Sequence, residues 1–273
     1  MNPRKPSSTF PYWLAALAVL FIAMVFIIYN YEIYNVVFNR VAQGVGITIY
    51  VTLIGFTFSC LLGLILAIGM NSQWNVIRQI CRFYVELVRG IPMLVLLFYF
   101  AFVGTPMLID LANFIFTYPQ QWGWVDKFAI RDFPMIWRAI LALMISYSAY
   151  IAEVFRAGFQ SVDIGQYEAA NTLGLSRFAV FYKITMPQAF KTIMPPLGND
   201  FIAMVKDSAL VSVLGVADIT QMGKLYASGT FRFYETYNVV TFIYLVMTIS
   251  LSLALRGLEA HMDKRTKIQN NIS

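Results

Sequence analysis

Asn199, Asp200, Lys206, Asp207 and Ser208 all fall within one otherwise apolar stretch of the chain. A charge at the centre of a lipid-exposed helix costs about 2.5 to 3.5 kcal/mol on the more lenient insertion scale, so such residues normally face a bundle interior or a wet cavity. They are therefore candidates for lining or gating a pathway. The alternative is neutralisation by neighbouring helices, with their depth altered by a break in the helix near Pro195, Pro196 and Gly198. Glu153 with Arg156, and Glu86 with Arg89, are further candidates for the pathway or its gate, although each has the three-residue spacing of a simple helix-side ion pair. The remaining reactive residues offer no reaction centre. No nucleophile, base and orienting group converge by type or order, so no catalytic residue is assigned. Cys60 and Cys81 have no second cysteine or histidine at metal-ligand spacing, and His261 sits in a charged tail, so neither a metal nor a disulfide is implied.

The elements that position these residues follow from composition. Of 273 residues, 59% are hydrophobic and 12% charged, where soluble chains carry roughly 25% charged residues. The apolar residues come in blocks of about 20, the length a helix needs to cross the hydrocarbon core. Because lipid tolerates no open sheet edge, the class is all-α polytopic membrane protein. Hydropathy places spans near 12–29, 44–70, 91–116, 135–158, 191–215 and 236–259. The first follows Arg4 and Lys5 but is long for a signal sequence and lacks a small-residue cleavage site, so it is read as an uncleaved anchor.

Basic residues in short loops set orientation. Arg4, Lys5, Arg78, Arg82, Arg89, Arg156, Arg177, Lys183, Lys191, Arg256, Lys264, Arg265 and Lys267 lie on one side, against Arg40, Lys127, Arg131, Lys224 and Arg232 on the other. Both termini are thus expected in the cytoplasm; Arg138 and Lys206 lie within spans and do not alter the balance. The net charge of +6 is spread through these loops rather than gathered in a basic domain, which argues against nucleic-acid binding. In the second span Gly55, Ser59 and Gly63 recur every four residues, a stripe that lets helix backbones approach closely.

The connection from Gly158 to Lys191 is too polar to span and too patterned to be disordered. Asp163 with Gln166 reads as an N-cap with a capping-box partner, and Gly174 as a left-handed C′ residue, framing a short helix over GQYEAANTL. Ser176 caps a second short helix, RFAVFYKI, that should end before Pro187. Two capped helices on the cytoplasmic face form a docking surface.

Glu168, Ala169, Ala170, Gly174, Ile184 and Pro187 reproduce the EAA-x3-G-x9-I-x-L-P pattern, with Met186 at the leucine position, a change that keeps volume and apolarity. The chain thereby resembles the permease subunits of ABC importers. The segments YVELVRGIP, AYIAEVFRAGFQSV, MPQAF and PPLGNDFIAMVKDSAL look like the polar amino-acid branch of that family. The resemblance covers roughly residues 43–263 and implies a five-span core over 44–263 with its coupling loop at about 159–190. Residues 1–43 then form an N-terminal addition with one extra span, and 264–273 a cytoplasmic basic tail. It also implies a bacterial inner-membrane location, a second permease subunit, identical or homologous, a cytoplasmic ATPase dimer, and an extracytoplasmic amino-acid-binding protein. By the same resemblance Gly165, Glu168, Ala169, Ala170, Gly174, Ile184 and Pro187 belong to the ATPase-coupling loop, and Glu86 and Arg89 border the translocation path.

No cofactor is expected on this chain: it has no G-x-x-x-x-G-K-[ST] loop, since Gly223 and Lys224 lack the preceding glycine, so ATP and magnesium would be used by the partner ATPase. A secondary transporter or channel would share the hydropathy but should show inverted repeats with paired broken helices, which are not evident. A membrane-anchored enzyme would need a soluble domain, and no loop is long enough.

Overall fold

The computed structural model describes residues 12–270; Arg4 and Lys5 lie outside the described residues, as do the side chains of Lys264, Arg265 and Lys267. All regular elements among the described residues are helical. Among the described residues, four helical stretches are long and apolar enough to cross a membrane: Glu32–Met70, Met93–Ile115, Met135–Gln160 and Phe233–Met262. The first contains α2 (Glu32–Val41), a 3-10 turn at Ala42–Gly44, and α3 (Val45–Met70). It is preceded by α1 (Tyr12–Asn30).

Hydropathy overlooked two helices and misplaced the ends of others. Asn75–Arg89 folds as α4, with Val85 and Val88 buried and its other faces largely exposed. Cys81 lies on this helix. The next span is interrupted: α5 (Met93–Tyr99) passes through a π turn at Phe100–Gly104 into α6 (Thr105–Ile115). Pro106 is the cause, because it carries no backbone N–H for the α-helical ladder. The short α7 (Thr117–Gln121) and a 3-10 turn at Ile130–Asp132 lead to α8 (Met135–Gln160).

Beyond α8 lie α9 (Ile164–Thr172) and α10 (Arg177–Val180), and then α11 (Met186–Asp207). The second short helix does not stop before Pro187. It continues through a π turn at Phe181–Thr185 into α11, and Pro187, which has no N–H to donate, follows that turn as Pro106 follows the one at Phe100–Gly104. Nor does α11 break at Pro195 and Pro196, which lie inside it. The carbonyls those prolines leave free belong to Lys191 and Thr192, both exposed. The helix ends at Asp207 and tightens into 3-10 geometry over Ser208–Leu214, short of the expected 215. With Lys191, Asp200, Lys206 and Asp207 on it, α11 is too polar to rank among the four apolar stretches. A second overlooked helix, α12 (Ile219–Thr230), precedes the long α13 (Phe233–Asn270).

α3 and α8 form the most extensive helix pair. All three small residues of the α3 stripe are buried. A Cβ on Gly63 would lie 2.8 Å from Cγ2 of Ile151 and 3.1 Å from the backbone nitrogen of Ala152. Ser59 donates to Gly55 O at 2.7 Å and reaches Met144 O on α8 at 3.2 Å, so its hydroxyl is satisfied inside the apolar pair. α11 packs against α8 beside this seam, and α4 covers its other flank through Tyr84, whose hydroxyl meets Ile145 O at 3.1 Å and Ser148 Oγ at 2.9 Å. At the end opposite α9, the fully buried Asp218 caps α12, accepting from Gln221 N at 2.8 Å and Thr220 N at 3.2 Å, and from the Tyr244 hydroxyl at 3.2 Å. Burial pushes the Asp218 carboxyl above the usual aspartate range, and these donors partly counter the rise.

Gly63→Val should lower the thermal midpoint of the purified protein in detergent, since overpacking a close helix contact costs about 1 to 3 kcal/mol. Gly46→Ala, with open space around its Cβ, serves as the control. Equal midpoints for the two variants would mean that Gly63 does not set the α3–α8 distance.

Candidate functional site

A cavity of about 200 Å³ lies between α11, α8 and the corner where α4 turns into α5. The helix periodicity of α11 builds one wall: Asp200, Ala203 and Asp207 share a face because they lie one and two turns apart. α8 supplies Ser146, Tyr147 and Tyr150 opposite them, and Val88, Ile91, Met93 and Leu96 close the apolar side. Tyr147 donates to Asp207 Oδ2 at 2.7 Å, which fixes that carboxylate against α8. Ser146 Oγ and Asp200 Oδ2 are both buried and have no hydrogen-bond partner among the described residues. Leaving such a group unpaired costs about 1 to 3 kcal/mol, so a cavity with two of them is suited to a polar guest.

The expected cluster on α11 thus divides. Asp200 and Asp207 face the cavity, whereas Asn199 and Lys206 are exposed on a neighbouring face. Ser208 is buried but returns its hydroxyl to Val205 O at 2.7 Å, so its hydrogen bond is local to the helix. Glu153 and Arg156 form the ion pair that their spacing predicts, with Nε to Oε2 at 2.9 Å, and Arg156 also reaches Gln160. This pair lies further along α8, outside the cavity lining. Glu86 and Arg89 do not pair: both are exposed, and the Arg89 guanidinium lies 5.7 Å from the centre of the Tyr150 ring, a cation–π contact at the cavity rim. The arginine is the last residue of α4.

Ser146, Tyr147 and Tyr150 were not singled out from the sequence. The signal was present as a run of hydroxyl residues, SYSAY, inside an apolar helix. Hydropathy alone does not separate hydroxyls that satisfy a neighbour, such as Ser148 toward Tyr84, from those that face a void.

The connection between α8 and α11 forms the second candidate surface. Asp163 caps α9, but its carboxylate accepts from Gly165 N at 2.6 Å, and Gln166 meets it only through the backbone, N to Asp163 O at 3.1 Å. The capping box is therefore replaced by a tighter Asx turn, which Gly165 permits by placing no Cβ beside the carboxylate. At the other end Gly174 adopts φ +69° and Leu175 N bonds Ala170 O at 3.1 Å, the six-to-one bond of a Schellman cap. Ser176 Oγ accepts from Ala179 N at 3.3 Å, starting α10 as expected.

Ala170 is buried against its own chain, while Gly165, Glu168 and Ala169 are exposed. Of the motif's two alanines, then, only Ala169 lies on the outer face. Ile164, Leu173 and Phe178 on the same connection are each more than 70% exposed, large apolar side chains left outward on a polar connection. Thr185 donates to the Tyr167 hydroxyl at 3.2 Å, linking the π turn that carries half-buried Ile184 back to α9, and Pro187 follows, exposed. An open cavity of about 800 Å³ separates this assembly from the end of α3 at Ile68, Asn71 and Ser72.

Comparison with known proteins agrees with this architecture. Residues 59–268 match the family described as binding-protein-dependent transport system inner membrane component. The chain is 33% identical over 227 residues to the probable amino-acid permease protein YxeN of Bacillus subtilis, covering 83% of this chain and 93% of that protein. It is 30% identical over 220 residues to the glutamine transport system permease protein GlnP of Escherichia coli K12, covering 81% and 91%. Among solved structures, an amino acid ABC transporter crystallised with histidines aligns with a TM-score of 0.66 at 32% identity, over 93% of this chain and all of that one. The inward-facing MetNI methionine ABC transporter shares the fold, with a TM-score of 0.61 at 17% identity over 81% and 95%. The chain belongs to the family of inner-membrane components of binding-protein-dependent transport systems, the permease subunits of ABC importers.

Proposed function

We propose that this permease carries a polar amino acid through the cavity between α8 and α11, as one of two subunits in an amino-acid importer driven by a separate ATPase dimer. The observation that carries the reading is the pair of unpartnered polar groups in that cavity, Ser146 Oγ and Asp200 Oδ2. An amino acid presents both complements they lack. Its ammonium group donates to the Asp200 carboxylate, and its carboxylate accepts from the Ser146 hydroxyl; Asp207, held by Tyr147, adds a second negative charge beside the ammonium. The relatives named for amino acids or glutamine support the same substrate class.

In this reading α9 and its motif residues face the cytoplasm and engage the ATPase. The exposed Ile164, Ala169, Leu173 and Phe178 supply the apolar contact and Glu168 a charge for a basic partner. Residues 44–263 form the permease core, with α1 an addition to it and α11 completing a six-span topology that leaves both termini in the cytoplasm. The exposed Asn199 and Lys206 on α11 then meet the second permease subunit, which shields them from lipid. An extracytoplasmic binding protein delivers the amino acid at the end opposite α9, and ATP and magnesium act in the partner.

Asp200→Asn removes a charged hydrogen bond worth about 1.5 to 3 kcal/mol, so the concentration for half-maximal uptake in proteoliposomes should rise about 10- to 100-fold. Ser208→Ala, which loses only a bond to its own helix, should leave uptake unchanged. Wild-type uptake by Asp200→Asn would place the pathway elsewhere.

Gly174→Asp tests the coupling loop. Space around Gly174 is open, so the cost is conformational, roughly 1 kcal/mol or more for a non-glycine residue at its φ, with about 0.3 to 1 kcal/mol from a carboxylate at the helix C-terminus. Neither unfolds the bundle. The variant should accumulate normally yet lose ATPase co-purification or uptake; normal hydrolysis and uptake in both Gly174→Asp and Glu168→Lys would show that α9 is not the coupling element.

A further inference from the structure

Arg138 is the one buried cation among the described residues, 8% exposed, and no carboxylate lies within ion-pair distance of it there. It stands in the first turn of α8, where a positive charge opposes the helix macrodipole. What holds it is a set of three backbone carbonyls from two separate segments. Nε donates to Phe133 O at 2.9 Å and Nη2 to Ile130 O at 2.7 Å, both on the connection between α6 and α8. Nη1 donates to Ala101 O at 3.4 Å, inside the π turn between α5 and α6.

The third acceptor exists because of Pro106. In a regular helix Ala101 O would accept from Thr105 N, but that N–H bonds Phe100 O instead. The next donor in line would be residue 106, and proline has none. Ala101 is fully buried, so its carbonyl has neither a helix donor nor water and takes the guanidinium. The same helix carries Met93 and Leu96, which line the cavity.

We propose that Arg138 is a positioning residue that latches the α6–α8 connection to the cavity-lining helix α5, so that a load placed on that connection by a docking protein is passed to the pathway. The inference rests on the function proposed above, in which this connection faces the binding protein. The two short bonds keep Arg138 on the connection, and the long bond to Ala101 O is the release point. A π turn is a natural hinge for such movement, being a register fault in an otherwise continuous helix.

The test uses the assembled transporter, with its ATPase and binding protein, in nanodiscs. Arg138→Met removes all three bonds. Pro106→Ala gives Ala101 O a donor from its own helix, in either α or π register, and so detaches the helix while leaving Arg138 on the connection. In both variants basal ATP hydrolysis and the half-saturating concentration of binding protein should stay within about threefold of wild type, while the binding-protein-stimulated increment falls about five- to tenfold. Arg138→Lys, which cannot fork to three carbonyls, should fall between Arg138→Met and wild type. A purely structural role would lower basal and stimulated rates in the same ratio, and that result, or full stimulation in Pro106→Ala, overturns the proposal. Should Arg138→Met fail to assemble, Pro106→Ala decides alone. A wild-type complex with neither amino-acid uptake nor binding-protein stimulation would instead refute the underlying transport reading.

Discussion

The close approach of α3 and α8 is the constraint on which the remaining structure depends. Lipid tails compete with side chains for apolar contact, so a helix pair in a bilayer is held chiefly by backbone proximity and by polar groups that find partners across the seam. Gly55, Ser59 and Gly63 provide both, because two of them have no side chain and the third spends its hydroxyl on Gly55 O and Met144 O. With that distance fixed, the opposite sides of α8 are free to receive α4 and α11. The cavity is the place where the second of these contacts is incomplete.

Polar groups inside this bundle are treated in three distinct ways. Some are cancelled locally, as Thr52 is by Thr48 O and Ser208 by Val205 O. Some are cancelled across helices, as Tyr84 is by α8 and Asp218 by α12 and Tyr244. Three atoms among the described residues are left over: Gln221 Oε1 on α12, and Ser146 Oγ and Asp200 Oδ2, which lie together on the cavity wall. A fold that satisfies nearly every hydroxyl and carboxylate by its own means leaves an unmet acceptor and donor at this cavity, which is the physical basis of the proposed pathway. Arg138 is the reverse case, a donor with three acceptors assembled around it from unrelated segments.

The connection between α8 and α11 obeys a different rule, since it is stabilised by caps rather than by burial. The Asx turn at Asp163, the Schellman bond to Ala170 O and the Ser176 cap fix both ends of α9, leaving its apolar residues outward. A rigid, capped helix with exposed Ile164 and Leu173 is stable in shape yet incomplete as a surface. That combination suits a joint that must pass rigid-body motion.

The sequence by itself determined the helical membrane class, because no soluble packing accommodates apolar blocks of this length. It likewise determined the small-residue seam on α3, the cap at Gly174 and the EAA pattern, all of which are local: each needs only spacing along one chain segment. The Glu153–Arg156 pair was legible for the same reason. What lay beyond the sequence depended on neighbours distant in the chain. Glu86 and Arg89 share a spacing with Glu153 and Arg156, yet Tyr150 on another helix takes the arginine. The α11 residues divide between cavity and exposed face only once α8 is packed against them, and Ser146 and Tyr147 become cavity-lining only because of what stands opposite. Amphipathic α4 and α12 escaped hydropathy because neither has enough apolar residues to span. The π turn at Phe100–Gly104 could be suspected from Pro106, but its partner, Arg138, is supplied by the fold: a freed carbonyl identifies what it lacks, and only tertiary packing decides which side chain provides it.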